Sequence, residues 1–154
     1  MDDRTPLHQL TLIGATCLAR AARRTANVVT RVYNQHLSPL GIEVTQFTIL
    51  ATIAMDKAQS ASELAELVGV ERSTLARNLE RLAAAGLVEA ERGSGRRLVH
   101  RLTDRGCDVL ASALPLWSAA QDALLAGLPA DKDGAIRDDF RLLRRAANGI
   151  IGTA

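Results

Sequence analysis

The sequence predicts a mainly α (α+β) fold: a winged helix-turn-helix with a two-stranded β wing, framed by N- and C-terminal helices that form a dimerisation region. Three observations carry this. Two short helical segments meet across the few residues between Gly69 and Arg72, which leaves room only for a tight turn. Two alternating runs, 87–91 and 97–102, flank Arg92-Gly-Ser-Gly-Arg96, the pattern of a hairpin with a glycine-rich tip. The outer helical segments carry more apolar stripe than so small a core can cover.

The elements follow in chain order. Residues 7–37 read as one helix, because Leu10, Ile13, Cys17, Ala21, Val28 and Val32 recur near helical spacings. Ser38-Pro39-Leu40-Gly41 ends it. A second helix over 45–55 carries Phe47, Ile49, Leu50 and Ile53, with a polar turn at 56–59. Ser60 and Glu63 have the spacing of a capping box at the start of a short helix that stops at Gly69. The next helix, from 71 or 72 to 85, sets Leu75, Leu79 and Leu82 on one face, and Gly86 is a natural C-terminal cap. After the hairpin, Thr103 caps a helix over 104–125, with Asp104 placed against its dipole. Leu110, Leu114, Trp117, Leu124 and Leu128 line one side, and Pro115 should kink that helix or mark a new start. A final helix over 131–151 has an apolar stripe of Ile136, Phe140, Leu143, Ala147 and Ile150. The expected organisation is a DNA-binding region over 41–103 and a helical dimerisation region over 1–40 and 104–154. The same helices of a second copy are the natural cover for the outer stripes.

Charge sharpens the reading. The 154-residue chain has a formal net charge of only +2. Between Arg72 and Arg105, however, eight arginines stand against four acids, a net of +4, and the remainder is −2. Only Lys57 and Lys132 among the 19 basic residues are lysine. A GC-rich coding sequence accounts for that ratio but not for the clustering. A local basic segment in a near-neutral chain points to an anionic partner such as nucleic acid.

Composition excludes other classes. Aromatic residues make up 3%, too few for base-stacking single-strand binders. Cys17 and Cys107 are far apart, and His8, His36 and His100 are scattered, so neither a disulfide framework nor a metal site is expected. No catalytic constellation or cofactor motif is present, so neither enzyme activity nor a cofactor is expected. No apolar run approaches the roughly 18 residues of a membrane span, and Met1-Asp2-Asp3-Arg4 lacks a signal core. A cytoplasmic protein without a membrane partner is expected.

Double-stranded DNA is the expected partner. The helix beginning at Arg72 would enter the major groove by its N-terminal residues. Ser73 and Thr74 suit bases or phosphates, Arg77 suits a bidentate contact to guanine, and Asn78 either reads adenine or sits on solvent. Arg81 suits a phosphate, as does Ser62 at the start of the preceding helix, and Arg72 is a further candidate DNA contact. Arg92, Arg96 and Arg97 flank a tip whose glycines permit close approach to the minor groove. Two such heads on a dimer would read a pseudo-palindromic operator with half-sites about 10 bp apart.

The ordered set of motifs resembles the MarR family of bacterial transcriptional regulators. It comprises Tyr33…Leu37-x-x-Leu40-Gly41-Ile42, Thr45-Gln46-Phe47-x-x-Leu50, Glu63-Leu64-Ala65 and Ser73-Thr74-Leu75-Ala76-Arg77-x-Leu79-x-x-Leu82. Gly86-Leu87-Val88, Arg96-Arg97 and Leu102-Thr103-x-x-Gly106 complete it. Two departures stand out: Ser94 and Gly95 occupy slots where the family has an Asp holding its wing Arg, and Glu71 replaces a frequent Asp. The resemblance implies a homodimeric repressor released by a small aromatic or phenolic effector. It places that effector near Tyr33, His36, Phe47 and Trp117, with Arg20 or Arg23 as carboxylate partners. It also raises thiol-based redox sensing through Cys17, where Tyr33 is present but the next turn offers Ala21 rather than a second tyrosine. Cys107, beside Arg105 near a helix start, is a second candidate thiol. The competing reading is a winged helix used for protein contact without DNA.

Overall fold

The computed structural model describes residues 5–58, 60–92 and 98–152. Its elements are α1 (Thr5–Thr16), α2 (Leu18–Leu37), a 3-10 turn (Ser38–Leu40), α3 (Val44–Ala54), α4 (Ala61–Val68) and α5 (Arg72–Ala84). The strands β1 (Val88–Arg92) and β2 (Leu98–Leu102) follow, then α6 (Asp104–Ala126) and α7 (Asp133–Ile151). This is the winged helix-turn-helix with outer helices that the sequence predicts.

The first helix differs from expectation: it is two helices. Cys17 takes an extended conformation (φ −68°, ψ 107°) between α1 and α2. The apolar periodicity runs through this point, but local polar chemistry opposes it. Thr16 Oγ1 donates to Leu12 O (2.8 Å), and Arg20 Nη1 donates to Gly14 O (3.3 Å). A back-bonding threonine and a glycine both weaken a helix interior. At Pro115 the reverse holds: α6 is continuous through it, and the ring sits at an exposed position.

The caps set the helix-turn-helix. Ser60 Oγ accepts from Glu63 N (3.2 Å) at the start of α4. Gly69 (φ +77°) ends α4, with Gly69 N donating to Glu66 O and Val70 N to Ala65 O, the two bonds of a Schellman motif. Gly86 (φ +69°) ends α5 in the same way through Ala83 O and Leu82 O. A left-handed residue is required at both positions, and glycine takes it without a Cβ penalty. The start of α3 also has a capping contact that the sequence reading missed, Glu43 N to Gln46 Oε1 (2.9 Å).

The core lies under the helix-turn-helix. Leu37, Ile42, Phe47, Ile49, Leu50, Leu64, Leu75, Leu82, Leu87 and Val88 are buried together, with Ala113 of α6 beneath them. Each large aliphatic side chain there stabilises the fold by roughly 1.5–3 kcal/mol relative to exposure. The wing is antiparallel, with Val88 opposite Leu102 and Arg92 opposite Leu98.

A tight junction links this core to α6. Thr103 Oγ1 donates to Gly86 O (2.7 Å) and accepts from Gly106 N (3.0 Å), while Thr103 N donates to Leu87 O (3.2 Å). Gly106 is buried, and a Cβ there would lie 2.0 Å from Leu87 O.

The outer helices are apolar and uncovered. Leu114 and Trp117 of α6, Phe140 of α7 (50% exposed) and Ile150 (74% exposed) face outward. By length and composition α6 is also apolar enough to cross a membrane. That corrects the expectation that no segment approaches a span. Alanines and leucines interrupted by few charges produce it, and α6 packs along α2 and α3.

Candidate nucleic-acid interface

Helix α5 separates its residues by face. Leu75, Asn78, Leu79 and Leu82 are buried at i, i+3, i+4, i+7 spacing, the inward side. Arg72, Ser73, Arg77 and Arg81 are exposed and Thr74 is half-buried. Ser62, one residue into α4, is exposed as well. The Arg77 guanidinium lies back along its own helix, with Nε donating to Ser73 O (3.4 Å). Glu71 precedes α5 without a side-chain cap, so the positive end of the helix faces outward with backbone N–H groups available to an anion.

Asn78 is a correction to the base-reading set. It is only 9% exposed, and its Nδ2 donates to Thr74 O (2.9 Å). Its spacing from Leu75 and Leu82 places it on the core side of the helix, and a buried amide needs such a partner. Its polar character pointed outward while its position pointed inward.

In the wing, Glu91 Oε2 accepts from Arg101 Nε (2.7 Å), an exposed pair worth at most about 1 kcal/mol. The pair takes up one acid and one arginine of the basic segment. Arg92 ends β1, but its side chain, and the whole of Arg96 and Arg97, lie outside the described residues. His100 is half-buried opposite Ala90, and burial pushes its pKa below the usual 6.5.

The expected effector residues are only partly brought together. Phe47 of α3 stacks on Trp117 of α6, with centroids 6.1 Å apart and planes at 18°. Tyr33 of α2 donates to Gln121 Oε1 of α6. Burial raises the Tyr33 pKa from 10.0, against the opposing pull of Arg137. His36 Nδ1 is bonded to Val32 O of its own helix (2.9 Å). Arg20 and Arg23 stand toward the other end of α2, about 20 and 15 Å along the axis from Tyr33 at 1.5 Å per residue. Within one chain they therefore do not join Tyr33, contrary to the expected grouping. Gln121 and Arg137 were missed, because nothing in their sequence context ties them to a tyrosine so far upstream. Cys17 is half-buried and Cys107 exposed, and both are free thiols. Among the described residues no cluster of His, Cys, Asp and Glu has metal-site geometry.

The sequence profile of the MarR family matches residues 40–97. The transcriptional regulator MosR of M. tuberculosis is 34% identical, with a TM-score of 0.79, covering 87% of this chain and 97% of that one. MosR in complex with DNA is 36% identical at the same TM-score, covering 87% and 98%. The PcaV transcriptional regulator of Streptomyces coelicolor, in complex with its natural ligand, is 29% identical with a TM-score of 0.73, covering 87% and 94%. A comparison with curated protein sequences gives no match.

Proposed function

Because the chain belongs to the MarR family of transcriptional regulators, we propose that it works as a homodimeric repressor released by a small aromatic or phenolic ligand. It is a DNA-binding regulator rather than an enzyme. The observation that carries the DNA reading is the division of α5, with Arg72, Ser73, Arg77 and Arg81 outward and the leucines inward. In this reading Ser73, Thr74 and Arg77 read bases in the major groove, while Ser62, Arg72 and Arg81 hold phosphates. Arg92, Arg96 and Arg97 supply the wing contact. Residues 41–103 form the DNA-binding region, and 1–40 with 104–154 pair across the dimer. The effector would sit beside the Phe47–Trp117 stack and Tyr33, where MarR-type coupling needs it, at the seam of the two regions. The protein operates in the cytoplasm, where its operator is.

The test is fluorescence anisotropy with a duplex selected from a random pool and with an unselected duplex, over a salt series. Binding should weaken steeply with salt, as phosphate contacts require. Arg77→Ala should lose about 1–3 kcal/mol on the selected duplex and little on the unselected one. Equal loss on both removes the base-reading role of Arg77. No duplex binding at low salt favours the protein-contact reading instead.

A further inference from the structure

We infer that Thr103 and Gly106 form a rigid joint that fixes which half-site spacing the protein accepts, Thr103 acting as a positioning residue that never touches DNA. The inference rests on the dimeric DNA-binding reading above and deepens it.

The joint lies where the recognition helix hands over to the wing and α6 begins. Thr103 Oγ1 bonds outward to Gly86 O and receives Gly106 N. The Thr103 backbone bonds to Leu87 O. The backbone of α6 at Gly106 presses so closely on Leu87 that a methyl group does not fit. Gly86 and Leu87 are also the residues whose N–H groups close the C-terminus of α5. One hydroxyl therefore ties the end of α5 to the start of α6, and a sterically closed backbone contact prevents sliding between them.

Core packing also holds these elements, through Leu75, Leu82, Leu87, Val88 and Ala113, but among the described residues the joint adds a directional hydrogen-bonded tie at the α6 end. Between Ala76 and Ala83 of α5 and Ala90 of β1 a cleft of about 380 Å³ opens. The outer part of that face is open, so the contact of α5 with the wing is concentrated on its inner side at Leu87 and Val88, next to the junction at Thr103. Helix α6 also carries the uncovered apolar surface, including Leu114 and Trp117, through which a second copy would pair. The distance between two recognition helices is then set by two copies of α6 and two of these joints. One inserted base pair moves a half-site by about 3.4 Å and rotates it by about 35°. A rigid joint rejects such a shift, and a loosened joint tolerates it.

The experiment uses the full chain and the selected duplex, with versions in which one central base pair is added or removed. Wild type should lose at least 30-fold in affinity on the shifted duplexes. Thr103→Val keeps the shape but loses the donor and the cap. It should bind the selected duplex more weakly and lose no more than about 3-fold further on the shifted ones. Thr103→Ser, which keeps the hydroxyl, should restore discrimination. A merely structural role would lower affinity equally at every spacing, and that result overturns the inference. So does a Thr103→Val protein that discriminates like wild type. Sedimentation of the same samples separates the two levels. A monomeric wild type overturns the dimer reading and the inference with it, whereas a dimer with unchanged spacing preference overturns the inference alone.

Discussion

Replacing Gly106 with alanine sets two known effects against each other. The added Cβ would stand 2.0 Å from Leu87 O and 3.0 Å from Leu87 C, so one backbone must move by more than 1 Å from an ordinary contact. Both are backbone atoms, and no flexible side chain can yield. Overpacking of this kind costs about 1–3 kcal/mol, and the rigid partner argues for the upper end. Against it stands the helix preference for alanine over glycine, roughly 0.5–1 kcal/mol. The clash wins, leaving a net loss of about 2 kcal/mol, equivalent to about 4–8 °C in Tm for a chain of this size. Urea unfolding followed by circular dichroism reads this as a fall in midpoint of about 1 M at an m-value of about 2 kcal/mol/M. Protein concentration is held fixed, since association shifts apparent stability. Gly134→Ala is the control: nothing lies within 4 Å of its Cβ position in α7, so it should be neutral or slightly stabilising. A Gly106→Ala protein as stable as wild type would refute the close-packed joint.

Two further expectations concern His100 and Thr103. Burial disfavours the His100 imidazolium, so below its usual value of 6.5 the unfolded chain takes up a proton that the fold refuses. Stability should fall as pH drops from about 6.5 through the lowered folded-state value, and His100→Gln should flatten that part of the profile; a wild-type minus variant difference that is constant with pH contradicts it. Thr103→Val should also lower stability by about 1–2 kcal/mol through loss of the α6 cap, with Thr103→Ser close to wild type in the same urea titration.

Much of this was legible because the punctuation is local. Gly69, Gly86 and Thr103 each mark a boundary by a conformational or hydrogen-bonding need that their own chemistry expresses, and the structure places each at its expected end. The break at Cys17 was hidden, since apolar spacing continues across it and the competing bonds come from Thr16 and Arg20. Asn78 is polar by type, yet its place in the row of Leu75, Leu79 and Leu82 puts it inside. The Tyr33–Gln121 contact joins positions 88 residues apart, and no periodicity reports such a pairing. The Arg92 side chain, and the whole of Arg96 and Arg97, expected at the minor groove, lie outside the described residues.

The exposed apolar faces of α6 and α7 carry a consequence for dosage. If a second copy covers them, the competent regulator is a product of two concentrations. In the range where protomers predominate, a cell that halves its protein retains only about a quarter of its dimer. Occupancy of the operator then has a threshold in copy number even without any effector. Dilution by growth and slow synthesis would each act on the regulated gene through the bare surface of those two helices.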